Sequence, residues 1–388
     1  MNILTVSDNP ISFSGVSQQI KLIIDNFSKN NKVISLSLDK TKPIQVSENW
    51  GIAYIGKSEK ERQENILSTL REEKFDYVIF MTDPRQFIWV MPIEYELKKL
   101  CSNLVYYHVW DNKPNPNFNK GFYDIFDHIA CISKLTFNCM REMGYKNISY
   151  VPHTLPVEFQ KLENSVRFSN DFTILWDSRN QLRKSPSVAI EAFSMFHKKH
   201  PDSFLVMKTD PILAEGCDVQ YLFNHYGLKP KTDCILIGDQ LSLVDMNVIY
   251  NACDVVLNTS LAEGFGLSAL AALKTGKLLI APQIGGLQDQ VDNNVGYAIK
   301  PDFTYKMSNI AAPFINYDFI KPETYVKFLE QAYYLSPEKK SKKNNCAIEK
   351  FNEKFSNESF NNNWNNIIKE QYEDRKLLFE NFVNTEII

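Results

Sequence analysis

Three cations, Arg179, Arg183 and Lys184, lie between the apolar run Phe172 to Trp176 and a helical pattern from Ser187 to His200 that has Pro186 near its first turn. Cations at a strand end that precedes a helix N-terminus suit the neutralisation of phosphates. A solvated charged loop would have the same composition. Further on, Glu263 is followed at once by Gly264, Phe265 and Gly266, then by a short apolar helix through Leu267, Leu270, Ala271, Ala272 and Leu273, with Ser268 in its first turn. Free backbone N–H groups at such a glycine-flanked helix start, close behind Ser260, offer a second place for a phosphate. Gly276 stands where a left-handed C-cap favours glycine, and Gly285-Gly286 makes a second tight turn. The combination describes a phosphate-bearing ligand with a carboxylate close beside it.

In the first half, polar clusters close two strands: Thr82-Asp83-Pro84-Arg85 after Tyr77 to Met81, and His108-Val109-Trp110-Asp111-Asn112 after Val105 to Tyr107. His108 can donate, accept and titrate near neutrality. It can equally be a histidine hydrogen-bonded inside a loop. Gly15 ends the loop behind the first strand without a full G-x-G-x-x-G fingerprint, so a plain turn glycine and a ligand-contacting one both remain open.

These residues must be held by alternating strands and helices. Strands are predicted at Asn2 to Ser7, Lys32 to Leu38, Ile52 to Ile55, Tyr77 to Met81, Leu104 to His108 and Ile129 to Ser133, with helices at Val16 to Phe27, Glu59 to Glu72 and Pro92 to Leu100. The second half repeats the alternation, with strands at Phe172 to Trp176, Phe204 to Lys208, Cys234 to Ile237, Asp254 to Asn258 and Lys277 to Ala281. Such alternation predicts parallel sheets covered on both faces, with ligands beyond the carboxyl ends of the strands. Tyr305 to Pro313 yields no assignment, and Lys113 to Lys120 reads as an irregular loop. The domain junction is placed in the polar stretch Leu155 to Asp171, which gives domains at 1–155 and 171–355. A terminal segment, 356–388, has Phe360, Trp364, Ile367, Ile368 and Tyr372 at helical spacing and is expected to dock on protein.

The formal net charge of −3 gives no global attraction to nucleic acid or anionic membrane. Seven cysteines without a C-x-x-C pair fit reduced thiols in a cytoplasmic protein. No apolar run reaches the length of a membrane span. The basic run Lys339, Lys340, Lys342, Lys343 reads as a solvated helix face. No oligomeric state follows from the sequence.

The chain resembles the retaining GT-B glycosyltransferases of family 4. The resemblance is carried by Ser14-Gly15-Val16, by His108, by Arg179 and Lys184 five residues apart, and by Glu263 to Leu267 with Gly285-Gly286 behind it. The N-terminal half, with M-T-D-P-R and Y-Y-H-V-W-D-N, looks closest to enzymes of tailed phages. The resemblance implies two Rossmann-like domains facing across a cleft. It also implies transfer of a sugar, with retention, from a nucleotide-diphosphate donor (UDP foremost) to an acceptor hydroxyl, such as a hydroxymethylated base in DNA or a saccharide. It gives Glu263, His108, Arg179 and Lys184 catalytic places. Gly15, Ser260, Gly264, Phe265, Gly266, Leu267 and Ser268 would hold the donor, and Asp83, Arg85, Trp110 and Asp111 would lie on the acceptor side. No cofactor is implied, and with no D-x-D pair no metal is expected. One position departs from the family: the second motif Glu, eight residues after the first, is Ala271. A non-catalytic sugar-nucleotide or glycan-binding protein is the alternative this departure supports; the E-G-F-G-L signature fits a sugar-nucleotide epimerase poorly.

Overall fold

The computed structural model describes residues 1–101, 103–163, 165–168, 172–309 and 312–369. By its contacts the chain divides into two units. The first holds 1–109, 115–153 and the segment from 357, and the second holds 110–114 and 154–356.

In the first unit, strands β1 (Asn2–Ser7), β2 (Lys32–Ser37), β3 (Ile44–Ser47), β4 (Trp50–Tyr54), β5 (Tyr77–Thr82), β6 (Leu104–His108), β7 (His128–Cys131) and β8 (Ile148–Tyr150) form one sheet. Its order is β3-β4-β2-β1-β5-β6-β7-β8, parallel except for the antiparallel edge strand β3. Helices α1 (Gly15–Phe27), α2 (Glu59–Glu72), α3 (Glu94–Leu100), α4 (Lys120–Tyr123) and α5 (Lys134–Glu142) connect them. Ser14 caps α1 by accepting the amide of Ser17, and its buried face is the predicted Ile20, Ile23, Ile24, Phe27 stripe. The predicted helix from Pro92 is corrected: Pro84–Ile93 is a 3₁₀ segment and α3 starts at Glu94, because Pro92 has no N–H to donate to a continuing α ladder. Strands β3 and β8 went unpredicted, being short and lacking a buried apolar run.

A further helix over 357–369 packs into this unit. The Trp364 ring meets Tyr107 edge-on at 5.0 Å and Phe27 at 6.4 Å, and the Tyr77 hydroxyl donates to the Ile368 carbonyl at 2.6 Å. Tyr372 and the rest of the predicted tail lie outside the described residues.

The second unit carries β9 (Phe172–Asp177), β10 (Ser203–Lys208), β11 (Cys234–Ile237), β12 (Val255–Leu257), β13 (Leu278–Pro282) and β14 (Gly296–Ile299) in the order β11-β10-β9-β12-β13-β14, all parallel. Chain order reverses between β9 and β12. This is the topological switch point at which open α/β sheets bind ligands. Helices α6 (Pro186–His197), α7 (Val219–His225), α8 (Leu243–Asn251), α9 (Leu267–Lys274), α10 (Pro322–Tyr333) and α11 (Pro337–Lys354) flank the sheet. Trp176, Phe193, Phe196, Met207, Leu257 and Ile280 are central to its core. The stretch left unassigned by sequence belongs to an antiparallel hairpin, β15 (Phe303–Asn309) and β16 (Ala312–Phe319).

At the amino ends of the second sheet, Asp254 is clamped by Arg167 at 2.5 Å, Lys340 at 2.6 Å and the Thr173 amide at 3.0 Å. Burial opposes its ionisation, but these partners hold its carboxyl below the usual range. The adjoining cavity of ≈ 540 Å³, lined also by Lys277 and Asn344, is at the strand ends opposite the switch point. It belongs to this latch rather than to the ligand-binding edge.

Three histidines of the first unit are buried and neutral: burial pushes His108 and His153 from 6.5 down to about 3 and His128 to about 4. Below pH 6.5 the unfolded chain protonates them while the folded chain does not, so stability falls as pH drops from 6.5 towards 4. The slope is roughly 1.4 kcal/mol per pH unit for each histidine. Urea-denaturation midpoints should therefore fall between pH 7.5 and pH 5, and His153→Gln should flatten the dependence. An unchanged midpoint would contradict the buried, neutral assignment.

Candidate functional site

Two loops meet at the switch point of the second sheet, one after β9 and one after β12. The first is fixed at its middle by Asn180, which is fully buried. Its side chain donates to the carbonyls of Asp210 (3.0 Å) and Cys217 (2.6 Å) and accepts the Cys217 amide at 3.0 Å. The chain then makes a 3₁₀ turn, Leu182–Lys184, and leaves it through Ser185 at φ 54° and ψ 54°. A left-handed serine costs on the order of 1–3 kcal/mol and persists only where surroundings hold it. Thr259 does so: its hydroxyl shares its proton between the carbonyls of Lys184 (2.9 Å) and Ser185 (3.0 Å) while accepting Trp176 Nε1 at 2.8 Å. Pro186 then starts α6 with the φ its ring fixes.

That geometry aims Lys184 at Glu263, with which it makes a short ion pair; the two side chains are only 12% and 10% exposed. Ser260 Oγ donates to the same carboxylate at 3.3 Å, and Arg183 stands 3.9 Å from it. Arg183 also donates to the Ala262 carbonyl at 2.7 Å and approaches the Asp111 carboxylate at 3.4 Å. Burial disfavours the Glu263 charge, but Lys184 and then Arg183 outweigh it and hold the carboxyl below its usual range. Burial and the Arg183 charge pull Lys184 down, with Glu263 restoring part. Two cations and two carboxylates thus form one nearly neutral cluster. An entering diphosphate would find cations already ordered, partnered by carboxylates it must partly displace.

Glycines set the Glu263 backbone. Its amide donates to the Asp111 carbonyl at 3.0 Å, and its carbonyl accepts the Gly286 amide at 2.8 Å. A Cβ on Gly285, which sits at φ 48°, would fall 2.1 Å from the Glu263 carbonyl oxygen, and one on Gly286 2.1 Å from that of Gly264. The paired glycines are required so that two backbones can touch. Gly266 is the N-cap of α9 at φ 98°, with no side chain capping the helix, so the amides over Gly266, Leu267 and Ser268 face no side-chain acceptor.

The structure separates some of the predicted residues. Arg179 is exposed, and no described carboxylate pairs with it; Arg183, read from sequence as one of three phosphate-suited cations but given no catalytic place by the resemblance, stands beside Glu263. Its signal was adjacency to Lys184. Thr259, Asn180 and Asn112 are further omissions, and as ordinary polar loop residues they carried none. Phe265, placed from sequence among the donor-holding residues, has its ring buried against Phe355 at 5.9 Å. Ala271 is buried in α9. Trp110 and Asp111 belong to the second unit rather than to the N-terminal half where the sequence placed them. Trp110 Nε1 donates to the Pro114 carbonyl at 3.1 Å, and Asn112 Nδ2 donates to the Asn316 carbonyl at 3.0 Å and to Asp318 at 2.7 Å.

In the first unit the switch point lies between β1 and β5. Gly15 is the exposed first residue of α1, with no positive φ. Asp83 caps the 3₁₀ segment and forks onto Arg85 at 2.6 and 2.5 Å, so these two neutralise each other. His108 ends β6 opposite Thr82, fully buried between the rings of Tyr106 (5.6 Å) and Tyr123 (5.0 Å). The expectation that it titrates near neutrality is overturned by that burial, and neither ring nitrogen has a hydrogen-bond partner among the described residues. Asp8, beyond β1, was overlooked: burial and then Asp39 raise its carboxyl, while Ser14 and Thr82 bond to it.

Residues 158–311 match the family described as "Glycosyl transferases group 1". Relatives include a D-inositol 3-phosphate glycosyltransferase of Paenarthrobacter aurescens, 29% identical over 32% of this chain and 30% of its own, and a trehalose synthase of Pyrococcus horikoshii, 27% identical over 33% and 28%. The chain thus spans less than a third of the length of these two relatives. Among solved structures, Anabaena Alr3699/HepE in complex with UDP-glucose superimposes with TM-score 0.75 at 14% identity, covering 96% of this chain and all of that one. A glycosyltransferase from Rickettsia africae gives 0.72 at 18% over 95% and 98%. At such identities the likeness is one of fold, and that fold is GT-B, with two Rossmann-like domains. The matched region spans both loops of the Lys184–Glu263 cluster.

Gly286→Ala should drive the Glu263 loop off its seat, lowering stability by about 1–3 kcal/mol as overpacking does. Thermal melts check this, and a variant melting like the parent would refute the close-approach role.

Proposed function

We propose that the protein is a retaining glycosyltransferase that moves a sugar from a nucleotide-diphosphate donor, UDP foremost, to an acceptor hydroxyl. The observation that carries this reading is the buried, ionised Glu263 paired to Lys184 beside Arg183, at a topological switch point ahead of an uncapped helix start. The group 1 match over 158–311 and the UDP-glucose bound by the Anabaena relative support it.

In this reading the donor diphosphate lies between the α9 amides and the Lys184 and Arg183 loop, with exposed Arg179 free to close on it. Preorganised donors placed where charge develops do the work of the leaving-group cation. The sequence lacks a D-x-D pair, so transfer is proposed to need no divalent metal and to continue in EDTA. Glu263, released from Lys184 as phosphate takes that cation, would accept from sugar hydroxyls near the reacting carbon. Retention places the acceptor proton on the departing phosphate. The acceptor hydroxyl belongs to a saccharide or, on the resemblance to phage enzymes, to a modified base in DNA; DNA binding would weaken steeply with salt.

Ala271 favours a second reading, a protein that binds the sugar nucleotide without turning it over, since the family's second motif Glu is missing. A thermal-shift screen of UDP, GDP and ADP sugars tests binding, with about 2.7 kcal/mol of stabilisation expected at 100 times Kd. Release of nucleotide diphosphate from the stabilising donor then separates enzyme from binder. Lys184→Ala and Glu263→Gln should each lower kcat by about 100- to 1000-fold, the loss seen when one preorganised contact is removed. Wild-type kcat/KM in folded Lys184→Ala would sink the assignment, and inversion at the anomeric carbon, read by NMR of the product, would remove the retaining part.

A further inference from the structure

The β15–β16 hairpin is tied to the candidate site by its backbone. The Asp318 amide donates to the Leu261 carbonyl at 2.8 Å, two residues before Glu263, and the Asn316 amide donates to the Lys113 carbonyl at 2.7 Å, two residues after Asp111. Asn112 adds its bonds to Asn316 and Asp318. The hairpin is thus hydrogen-bonded to both segments that form the Glu263–Asp111 end of the charged cluster.

One face of this hairpin is apolar and mostly aromatic. Register pairs Phe303 with Phe319, Tyr305 with Tyr317 and Met307 with Ile315, and side chains two apart share a face. Phe303 and Phe319 stack at 5.0 Å with ring planes 6° apart. Phe303, Tyr305 and Met307 are 46%, 61% and 39% exposed, so the outer strand presents this row to solvent. Lys306 and Asp318 fall on the opposite face, and the aromatic face carries no charge. On the inner strand, the Tyr317 phenol is raised first by burial and feels the charges of Arg183 and Asp111, and Tyr317 is the cross-strand partner of Tyr305 at the middle of this row.

We infer that this hairpin is an acceptor arm, whose aromatic face holds the apolar ring faces of a saccharide beside the donor site. This rests on the transferase reading above and gives its acceptor a chemical class. A pyranose presents a face of C–H groups and a rim of hydroxyls. Rigid rings with polar tips, as in Tyr305 and Tyr317, suit both at once. A nucleic acid would need cations along the same face to meet its phosphates, and none is there. The position beside Glu263 marks the occupant as a substrate of that site.

The test uses the full-length protein with maltohexaose, mannohexaose and chitohexaose as probes, followed by saturation-transfer NMR. At least one probe should show saturation of its ring protons. The double variant Phe303→Ser/Tyr305→Ser, both positions exposed and neither in the charged cluster, should weaken that binding at least tenfold. Lys306→Ser, on the other face, should leave it unchanged. Absence of binding by every probe, equal binding by the double variant, or binding only of a single-stranded oligonucleotide in a salt-sensitive manner would overturn the inference. Thermal shift by the donor sugar nucleotide, run on the same proteins, keeps the two proposals apart. Donor binding retained in the double variant with saccharide binding lost supports the arm, whereas absence of donor binding in the parent overturns the transferase reading on which the arm's role depends.

Discussion

The buried contact between Lys184 and Glu263 is the constraint around which the second unit is arranged. An ion pair this enclosed is weak evidence for stability, because desolvating both groups offsets most of their attraction. Its position also depends on costly local geometry: a left-handed serine, a threonine serving three backbone and side-chain partners, and a pair of glycines that let two chains touch. Structure spent in this way is characteristic of a site that must present charges in fixed places. The pair also sets the chemistry of its members. Without Lys184 and Arg183, burial would drive Glu263 towards its neutral form; with them it stays an acceptor of hydroxyl hydrogen bonds.

The same dependence extends along the chain. Glu263 is anchored through its amide to Asp111, a residue that follows β6 of the first unit in sequence yet belongs to the second. Residues 110–114 therefore supply part of the charged cluster and a docking edge for the β15–β16 hairpin. A short insertion of one unit's chain into the other's fold makes the cluster dependent on residues far apart in sequence: Asp111, Arg183 and Glu263.

This explains what could be read beforehand. Parallel alternation, the cationic loop behind β9 and the Gly285-Gly286 turn were legible because each is local: an apolar run, a cation beside a strand end, a glycine where a Cβ cannot fit. Lys184 and Glu263 were found for that reason. The choice between Arg179 and Arg183 was not legible, because it depends on which side of a 3₁₀ turn faces Glu263, and that follows from Ser185 and Thr259. Trp110 and Asp111 looked like part of the N-terminal half because sequence proximity to His108 is all that a linear reading offers. The period-2 alternation of Phe303, Tyr305 and Met307 was present, but with Pro313 nearby and no buried run it did not stand out from a loop. The histidine at 108 was read for its intrinsic chemistry, whereas its full burial against the rings of Tyr106 and Tyr123 keeps it neutral.

Ala271 gains meaning in this setting. The GT-B fold is retained with relatives at 14–18% identity, so the fold itself tolerates nearly complete replacement of sequence. The chain has the residues that fix Glu263 and Lys184: Gly266, Gly285, Gly286 and the loop behind β9. What it lacks is a carboxylate on α9, where Ala271 is enclosed by packing and nothing marks a vacated polar pocket. Loss of a contact to the far end of a donor weakens binding uniformly, whereas loss of a contact at the reacting end removes catalysis. On the transferase reading proposed above, Ala271 would relax recognition of the distant part of the donor, while the buried Lys184–Glu263 pair stays fixed at the end where charge is handled.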